Sequence, residues 1–334
     1  MFKLARLTSL VLGGSLLLTP LAGGQTPPPG GAQPTPLPPT TVEGARSGTG
    51  FGTAGSEFLP RGDGRGTIDW SSDAITSDST PVGSYNQPAW TTQRPFTSVR
   101  AYVLPEGQWQ VEQWYRPRWK KDGTREDRVL EEIAIGLPHR LQLDLYWRWN
   151  IKQDEDQHYN ANHEGVQLEL RWALANWGEI PLNPTLYGEW IQRSNKDDEP
   201  DKYELKALLA DSFLNDRIFW AANFILEQEV GGEKETELGF SQAFSTTIIE
   251  RKLMAGVEMW YRQANVHGSR ADWERQLLVG PTLQWRPTNR TFLDVAPLIG
   301  CTKDAPKVEL FIVFGFQFGQ RAGPSYLRPA SRAE

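Results

Sequence analysis

Polar side chains, many of them ionisable, recur at every second position in several stretches of the sequence. In residues 141–149 and 166–172, Gln, Asp, Glu and Arg alternate with Leu, Val and Trp. Because neighbouring side chains of a β-strand point to opposite faces, this spacing places the ionisable groups together on one face. Such groups, facing one another across a narrow interior, can pair as salt bridges or line a polar pore. The residues predicted to line that interior are Asp144, Arg148, Glu169, Arg171, Glu258, Arg262 and Arg286.

Catalytic and metal chemistry find little support in the sequence. The histidines are His139, His158, His163 and His267, and none is predicted in mid-strand beside a serine, as a hydrolytic site on a strand requires. His158 and His163 with the acidic residues 154–156 could hold a divalent cation, but their spacing has no ligand signature and favours a solvated loop. We predict no catalytic residue, no metal and no cofactor.

The composition limits the class of protein. The chain has 334 residues, a formal charge of −6 and a mean hydropathy of −0.51. The acidic balance argues against a nucleic-acid partner, and the low hydropathy excludes a bundle of membrane helices. A membrane β-barrel is compatible with both values, because its strands alternate apolar and polar residues. The 14 tryptophans suit membrane interfaces, and Cys301 alone excludes an internal disulfide.

The two ends of the chain differ from its centre. Lys3 and Arg6 precede an apolar stretch and the small residues 22–24, which predicts a cleaved signal peptide over residues 1–24. Residues 25–95 are rich in Pro and Gly and predict a disordered periplasmic linker. Residues 96–104 are interpreted as a short strand or plug at the start of a barrel domain over 96–318. A flexible tail, 319–334, follows.

The period-two stretches predict an all-β protein. Their lengths match strands that cross a bilayer at a tilt, and an even number is typical of bacterial barrels. We therefore predict an antiparallel up-and-down transmembrane β-barrel of about twelve strands with a disordered N-terminal tail. The predicted strands span 108–120, 127–137, 140–152, 164–174, 184–194, 202–211, 217–229, 235–248, 252–264, 274–286, 291–300 and 308–318.

The connections between the predicted strands alternate in length. The odd-numbered connections are long and polar, and most even-numbered connections are tight turns; residues 175–184 are the exception. Outer-membrane barrels have short periplasmic turns and longer outer loops. This alternation predicts that both ends of the chain lie in the periplasm.

Aromatic residues are predicted near both ends of the strands. In an outer-membrane barrel they would form two girdles at the membrane interfaces. Ordinary core packing in a soluble sandwich remains the alternative. The girdle residues predicted at the outer end are Trp147, Trp149, Trp260 and Tyr261, and those predicted at the periplasmic end are Trp172 and Trp285.

The last predicted strand carries the clearest family signal. Residues 308–318 alternate apolar residues on one face and end in Phe314, Phe316 and Phe318. This pattern resembles the C-terminal signal that the barrel-assembly machinery reads in outer-membrane barrels. Residues 250–318 resemble a group of outer-membrane barrels that are similar to the transporters linked to the meta-pathway of phenol degradation, and the resemblance extends over residues 95–318. The resemblance implies a barrel in outer-membrane lipid and passage of small molecules, although sixteen residues follow Phe318 here.

Several functions are compatible with this barrel. The favoured one is a passive channel or uptake protein for small solutes in the bacterial outer membrane. A structural or adhesion barrel with a filled lumen is the first alternative. An outer-membrane hydrolase and a soluble secreted carbohydrate-binding β-protein rank behind both. The three membrane-barrel hypotheses require strands that close into a ring with apolar side chains outside. The hypothesis of a soluble secreted protein does not.

Overall fold

The computed structural model describes residues 77–153, 159–193, 200–232, 234–265 and 273–319. Within these residues, twelve antiparallel strands form one closed barrel, in which each strand pairs with the next and the last pairs with the first. This confirms the predicted fold class. The strands are β1 (Gln108–Trp119), β2 (Arg125–Leu137), β3 (Leu141–Gln153), β4 (Tyr159–Ala173), β5 (Thr185–Arg193), β6 (Lys202–Phe213), β7 (Ile218–Glu229), β8 (Thr236–Ile249), β9 (Leu253–Asn265), β10 (Glu274–Thr288), β11 (Thr291–Gly300) and β12 (Val308–Gly319).

The observed strand bounds differ from the predicted ones by at most two residues, except at the start of β4. This strand begins at Tyr159 rather than at residue 164. Its added residues pair with the outer end of β3, but they include few apolar residues, so no period-two pattern marks them. A register shift beside Trp149 and a positive φ of 146° at Gly165 separate this polar extension from the apolar part of the strand.

The connections of the described barrel follow the predicted parity. The strands β2, β6, β8 and β10 lead to their successors through the short turns 138–140, 214–217, 250–252 and 289–290. The longer connection, 174–184, bends inward at Trp177, whose ring lies 5.7 Å from that of Trp90. Its extra length therefore covers part of the periplasmic mouth.

The exposure of side chains alternates along the strands. In contrast to a soluble protein, the apolar side chains are exposed and the charged ones are buried. Leu168 is 51% exposed, whereas its neighbour Glu169 is 1% exposed. Trp285 is likewise 51% exposed, and its neighbour Arg286 is 1% exposed. A closed ring that turns apolar side chains outward and charged ones inward satisfies its backbone internally and suits hydrocarbon. The chain is therefore a transmembrane β-barrel of the bacterial outer membrane.

Most residues predicted for the aromatic girdles lie on the outer surface. Along each strand they alternate with neighbours that face the lumen. The residues on β3 and β9 lie in the outer half of the barrel, and those on β4 and β10 lie toward its periplasmic end. The outward-facing residues of this set are Trp147, Trp149, Trp172, Tyr261 and Trp285.

Trp260 corrects one girdle assignment. Its ring lies inside the barrel, 6.2 Å from that of Phe311 and 5.2 Å from the guanidinium of Arg262. The prediction was wrong because adjacent residues of a strand cannot share a face, and Trp260 has the parity of Glu258 and Arg262. Of the neighbouring pair, only Tyr261 faces outward.

Residues 77–107 precede β1 and lie inside the ring; we call this segment the plug. It contains a two-residue pairing of Pro81–Val82 with Gln87–Pro88 and one 3-10 turn at Ala89–Thr92. Most of its side chains are buried. The boundary predicted at residue 95 thus falls within an ordered segment. The predicted signal peptide, the linker up to residue 76 and tail residues 320–334 lie outside the described residues.

No helix in the described part of the chain is long and apolar enough to cross a membrane.

The seam between β12 and β1 closes the ring. Phe318 is the pairing partner of Trp109, and their rings are stacked with centroids 5.9 Å apart. Phe316 lies 6.2 Å from Phe318, and Phe314 on the same outer face is 49% exposed. All three residues of the predicted assembly signal thus face outward, and their recognition by the barrel-assembly machinery stays a prediction.

We expect Leu168→Arg to lower the free energy of unfolding by about 2–4 kcal/mol, because it places a charge against hydrocarbon near mid-strand. Guanidinium titration of the folded protein in phospholipid vesicles measures this. Leu214 in the turn 214–217 is 68% exposed and provides the control, since Leu214→Arg should change stability by about 0.5 kcal/mol or less. Equal, small effects at both positions would contradict the membrane assignment.

A double-mutant cycle of Trp109→Ala and Phe318→Ala should give a coupling energy of about 0.5–1.5 kcal/mol, as expected for a stacked aromatic pair. Vesicle unfolding titrations of the two single variants and the double variant supply the values. Pairing Phe318→Ala with Trp172→Ala on β4 should give no coupling. A coupling of the same size in that distant pair would show that the seam contributes nothing specific.

Candidate functional site

An ion pair fixes the start of the plug at the periplasmic mouth. The carboxylate of Asp78 accepts hydrogen bonds from Nη1 and Nη2 of Arg286 at 2.6 and 2.9 Å. It also accepts one from the Thr247 hydroxyl at 2.8 Å. Both charged partners are buried. Breaking such a pair by removing one partner leaves a buried charge and costs about 3–5 kcal/mol.

An aromatic cluster fills the lumen above this ion pair. The ring of Trp90 stacks on that of Phe219 at 5.1 Å and meets the ring of Phe96 edge-on at 6.3 Å. Both plug residues are completely buried. The cluster continues through Val99 of the plug and Ala221 of β7, so this part of the lumen resembles the core of a soluble domain.

Arg94 of the plug bridges two wall carboxylates. Its Nε donates to Glu112 at 2.9 Å, and its Nη2 donates to Glu132 at 2.9 and 3.0 Å. Glu112 and Glu132 are direct cross-strand partners on β1 and β2, where like charges repel. The guanidinium, which lies 4.3 Å from the centre of the Trp114 ring, offsets that repulsion. The plug thus supplies the cation that pairs directly with both carboxylates.

The tip of the plug is held by Glu258 of β9. This carboxylate accepts bonds from the backbone N–H of Thr97 and Ser98 at 2.8 and 2.7 Å. It also accepts bonds from their hydroxyls at 3.0 and 2.5 Å. On the other side, Asn223 accepts from Arg100 N at 2.8 Å and donates to Arg100 O at 2.7 Å. Polar contacts from two walls therefore determine where the plug turns back.

The Arg100 side chain keeps its charge at the top of the plug. It donates from Nη2 to the Tyr146 hydroxyl at 2.9 Å. Burial alone would lower the pKa of this guanidinium, but Tyr146 and the carboxylates of Glu132 and Glu169 outweigh burial and raise the pKa above its ordinary value. Arg100 therefore stays charged beneath the outer cavities, with the Glu132 carboxylate 3.6 Å away as its counter-charge.

A row of carboxyl groups crosses six neighbouring strands of the lumen wall. Each member is the direct pairing partner of the next, from the periplasmic half of β3 to the outer end of β8. Like charges in direct register are destabilising, so the row depends on nearby cations. Its members are Asp144, Glu169, Glu189, Glu204, Glu227 and Glu237.

The cations that serve this row come from different elements at different heights. Arg171 pairs with Asp144 at 2.9 Å and with Glu169 in the periplasmic half. Lys206 pairs with Glu204 at 2.6 Å, and Lys202 pairs with Glu227 at 3.0 Å nearer the outside. The row therefore changes from a fully buried arrangement below to a partly exposed one above, where the side chains of Glu204 and Glu227 are 13% and 20% exposed.

Guanidinium groups dominate the facing wall. Arg116 and Arg118 of β1 share Glu309 at 2.5 and 3.0 Å. Arg116 and Arg128 are direct cross-strand partners, although both carry positive charge. Arg148 and Arg193 share Glu164 at 3.2 and 2.7 Å. We call Arg116, Arg118, Arg128 and Arg148 the arginine wall.

Two adjoining cavities remain open above the plug, and we call them the outer vestibule. The lower cavity has a volume of about 190 Å³, and its floor is formed by Thr97, Ser98 and Arg100. The second cavity, of about 180 Å³, lies nearer the outer rim. Both touch Arg128 on one side and Glu227 and Glu237 on the other. In a ring of twelve strands, β1 and β2 stand opposite β7 and β8, so the two kinds of charge face each other.

The structure places all seven residues of the predicted lining inside the ring, but at two levels. Arg148 and Arg262 line the outer vestibule. The other residues are buried below it or against the plug: Asp144, Glu169, Arg171, Glu258 and Arg286. The alternation of residue types along a strand predicts which face a side chain lies on. It gives no information about what else occupies the lumen of the barrel.

The main residues that the sequence analysis missed belong to the plug. Arg94 and Arg100 were not singled out, because they were assigned to a linker or to a short segment before the barrel. One signal was available: Trp90, Phe96 and Tyr102 bring large apolar side chains into a stretch otherwise rich in Pro, Gly and Ser. A disordered linker seldom carries such residues.

The barrel is similar to outer-membrane barrels of known structure. An outer membrane channel of the COG4313 group from Pseudomonas putida F1 has a TM-score of 0.50 and 10% identity, over 67% of this chain and 100% of that chain. The NanC porin has a TM-score of 0.42 and 10% identity, over 64% and 99%. The translocator domain of the autotransporter NalP from Neisseria meningitidis has a TM-score of 0.38 and 12% identity, over 64% and 88%. No family model and no curated protein matches the chain. At these identities the likeness shows the fold, an outer-membrane β-barrel.

Proposed function

We propose that this protein is an outer-membrane channel for uptake of small solutes, with the plug closing its periplasmic half. The observation that carries the proposal is the outer vestibule, a charged cavity that leads down to the plug tip. Charged side chains keep their charge at low cost only where water reaches them. A solvated, charged chamber in the outer half supports entry of solutes from outside.

The plug has the features of a movable closure. Its upper part is held by polar contacts, those of Glu258 with Thr97 and Ser98 and those of Asn223 with Arg100. Water can replace such contacts when they open, whereas an apolar core loses its full burial. Because residue 107 continues directly into β1, the plug stays tethered to the wall in any rearrangement.

A structural barrel with a filled lumen is the second candidate. The buried cluster around Trp90 and the paired charges of Asp78 and Arg286 favour it, since they pack the periplasmic half like a core. In this case the outer vestibule would end blindly at the plug. The two candidates differ in one measurable property, the flux of ions or solutes through the folded protein.

The similarity of residues 250–318 to meta-pathway transporters extends the proposal to phenolic solutes. The aromatic rings that line the vestibule are covered by guanidinium groups, which leaves few free ring faces for a phenolic solute. Arg116 is 4.4 Å from the centre of the Phe311 ring, and Arg262 is 5.2 Å from that of Trp260. Such a lining is better suited to a charged solute than to neutral phenol. Phenol flux into vesicles that contain the barrel would test this finer proposal.

We expect Glu258→Gln to increase single-channel conductance in planar bilayers at least twofold over the native protein. The substitution removes the charge that accepts four hydrogen bonds from the plug tip, and bonds to charged groups contribute about 1.5–3 kcal/mol each. Liposome swelling with small sugars should accelerate in parallel.

Glu106→Gln is the matched control, because this exposed glutamate at the periplasmic end loses the same charge without touching the plug tip. Circular dichroism and heat-modifiable migration in SDS gels verify folding of both variants. If native protein and the Glu258 variant are folded but both are silent in bilayers and in swelling, the uptake proposal fails and the filled barrel stands.

A further inference from the structure

The outer vestibule has walls of opposite charge. The arginine wall lies on β1 to β3. The facing surface carries the upper members of the carboxyl row, Glu189, Glu204, Glu227 and Glu237 on β5 to β8, which we call the glutamate wall. Three residues of the arginine wall, Arg116, Arg128 and Arg148, line the same lower cavity as the glutamate wall. A solute there is therefore exposed to a field directed across the barrel axis.

Neither wall is neutralised by its own ion pairs. On the arginine wall, Arg116 and Arg118 share the single carboxylate of Glu309, so positive charge exceeds negative charge. On the opposite side, the single ammonium of Lys202 serves three carboxylates, Glu227, Glu229 and Glu235, at 3.0, 3.6 and 3.7 Å. Negative charge is therefore in excess there, and each wall can accept a further counter-charge.

Donor capacity also remains on the arginine wall. Within the described residues, Nε of Arg116 and Nε of Arg128 are buried atoms without a hydrogen-bond partner. Arg128 lines both cavities, and it pairs at 3.0 Å with Glu126 of its own strand. A guanidinium group has five N–H donors, so Arg128 can bind another carboxylate without giving up Glu126.

Glu237 is the matching acceptor on the glutamate wall. It lines both cavities and lies on β8, opposite Arg128 on β2. The carboxylate of Glu237 pairs with Nη1 of Arg262 at a distance of 3.5 Å. The same guanidinium donates two shorter hydrogen bonds to Gln276, at 3.0 and 2.8 Å. The Glu237 carboxylate is thus weakly engaged and open to an incoming ammonium group.

We propose that the outer vestibule binds a linear zwitterion of the ω-amino acid type. Its carboxylate pairs with Arg128 and the neighbouring guanidiniums, and its ammonium pairs with Glu237 and Glu227. An ion of a single sign would be attracted by one wall and repelled by the other, whereas a zwitterion is favoured by both. The cavity of about 190 Å³ exceeds the roughly 150 Å³ that holds benzene, so a short-chain zwitterion fits.

This inference names the solute class of the proposed channel and rests on that function only for access from outside. Binding is therefore measured separately from flux, by calorimetry on the full chain folded in detergent. Three probes share one carbon chain: 6-aminohexanoate carries both charges, hexanoate only the carboxylate, and hexylammonium only the ammonium. We expect 6-aminohexanoate to bind at least tenfold more tightly than either singly charged probe.

Two variants separate the walls. Arg128→Gln should weaken binding of 6-aminohexanoate about tenfold and bring it close to hexylammonium, and Glu237→Gln should weaken it about tenfold and bring it close to hexanoate. Lys252→Gln and Glu106→Gln remove exposed charges at the periplasmic end and should leave all affinities unchanged. Circular dichroism verifies folding of all four variants.

The outcomes divide clearly. Hexanoate binding as tightly as 6-aminohexanoate would overturn the inference in favour of an anion site, and equal binding of hexylammonium would overturn it in favour of a cation site. Absence of binding by all three probes to folded native protein would overturn it as well. Binding of the zwitterion without any solute flux would support this inference and reject the uptake function.

Discussion

Every backbone N–H and C=O group that lies in hydrocarbon must find its hydrogen-bond partner within the protein. For a chain built of strands, this requirement leaves only a closed ring, and the pairing of β12 with β1 fulfils it here. Closure then fixes the remaining architecture. The face that alternation turns outward must be apolar, as at Leu168 and Trp285, and the other face is confined to a narrow interior.

The narrow interior creates a second problem, because charged side chains from twelve strands meet in a small volume. Glu112 and Glu132 stand in direct register, as do all members of the carboxyl row. Isolated buried charges are costly, so each needs a counter-charge or water. The protein uses the two solutions at different heights. The plug supplies Arg94 and buried packing below, and the vestibule leaves room for water above.

This division accounts for the shape of the candidate site. Where the plug is present, the contacts of Asp78 with Arg286 and of Glu258 with Thr97 occupy charged groups of the wall. Above the plug tip, arginines share carboxylates on one side and glutamates share Lys202 on the other. This unequal sharing leaves positive charge in excess on one side of the vestibule and negative charge in excess on the other.

The sequence by itself determined the fold class, the bounds of nearly every strand and the face of most side chains, because period two reports directly on a strand between lipid and lumen. It failed at Trp260, where aromatic character was given more weight than parity, and at residues 77–95, where Pro and Gly concealed an ordered plug. The register and the contents of the lumen were decided only by tertiary structure. Arg262 lines an open cavity and Arg286 contacts the plug because of where a segment distant in sequence lies. Strand periodicity carries no information about such long-range contacts.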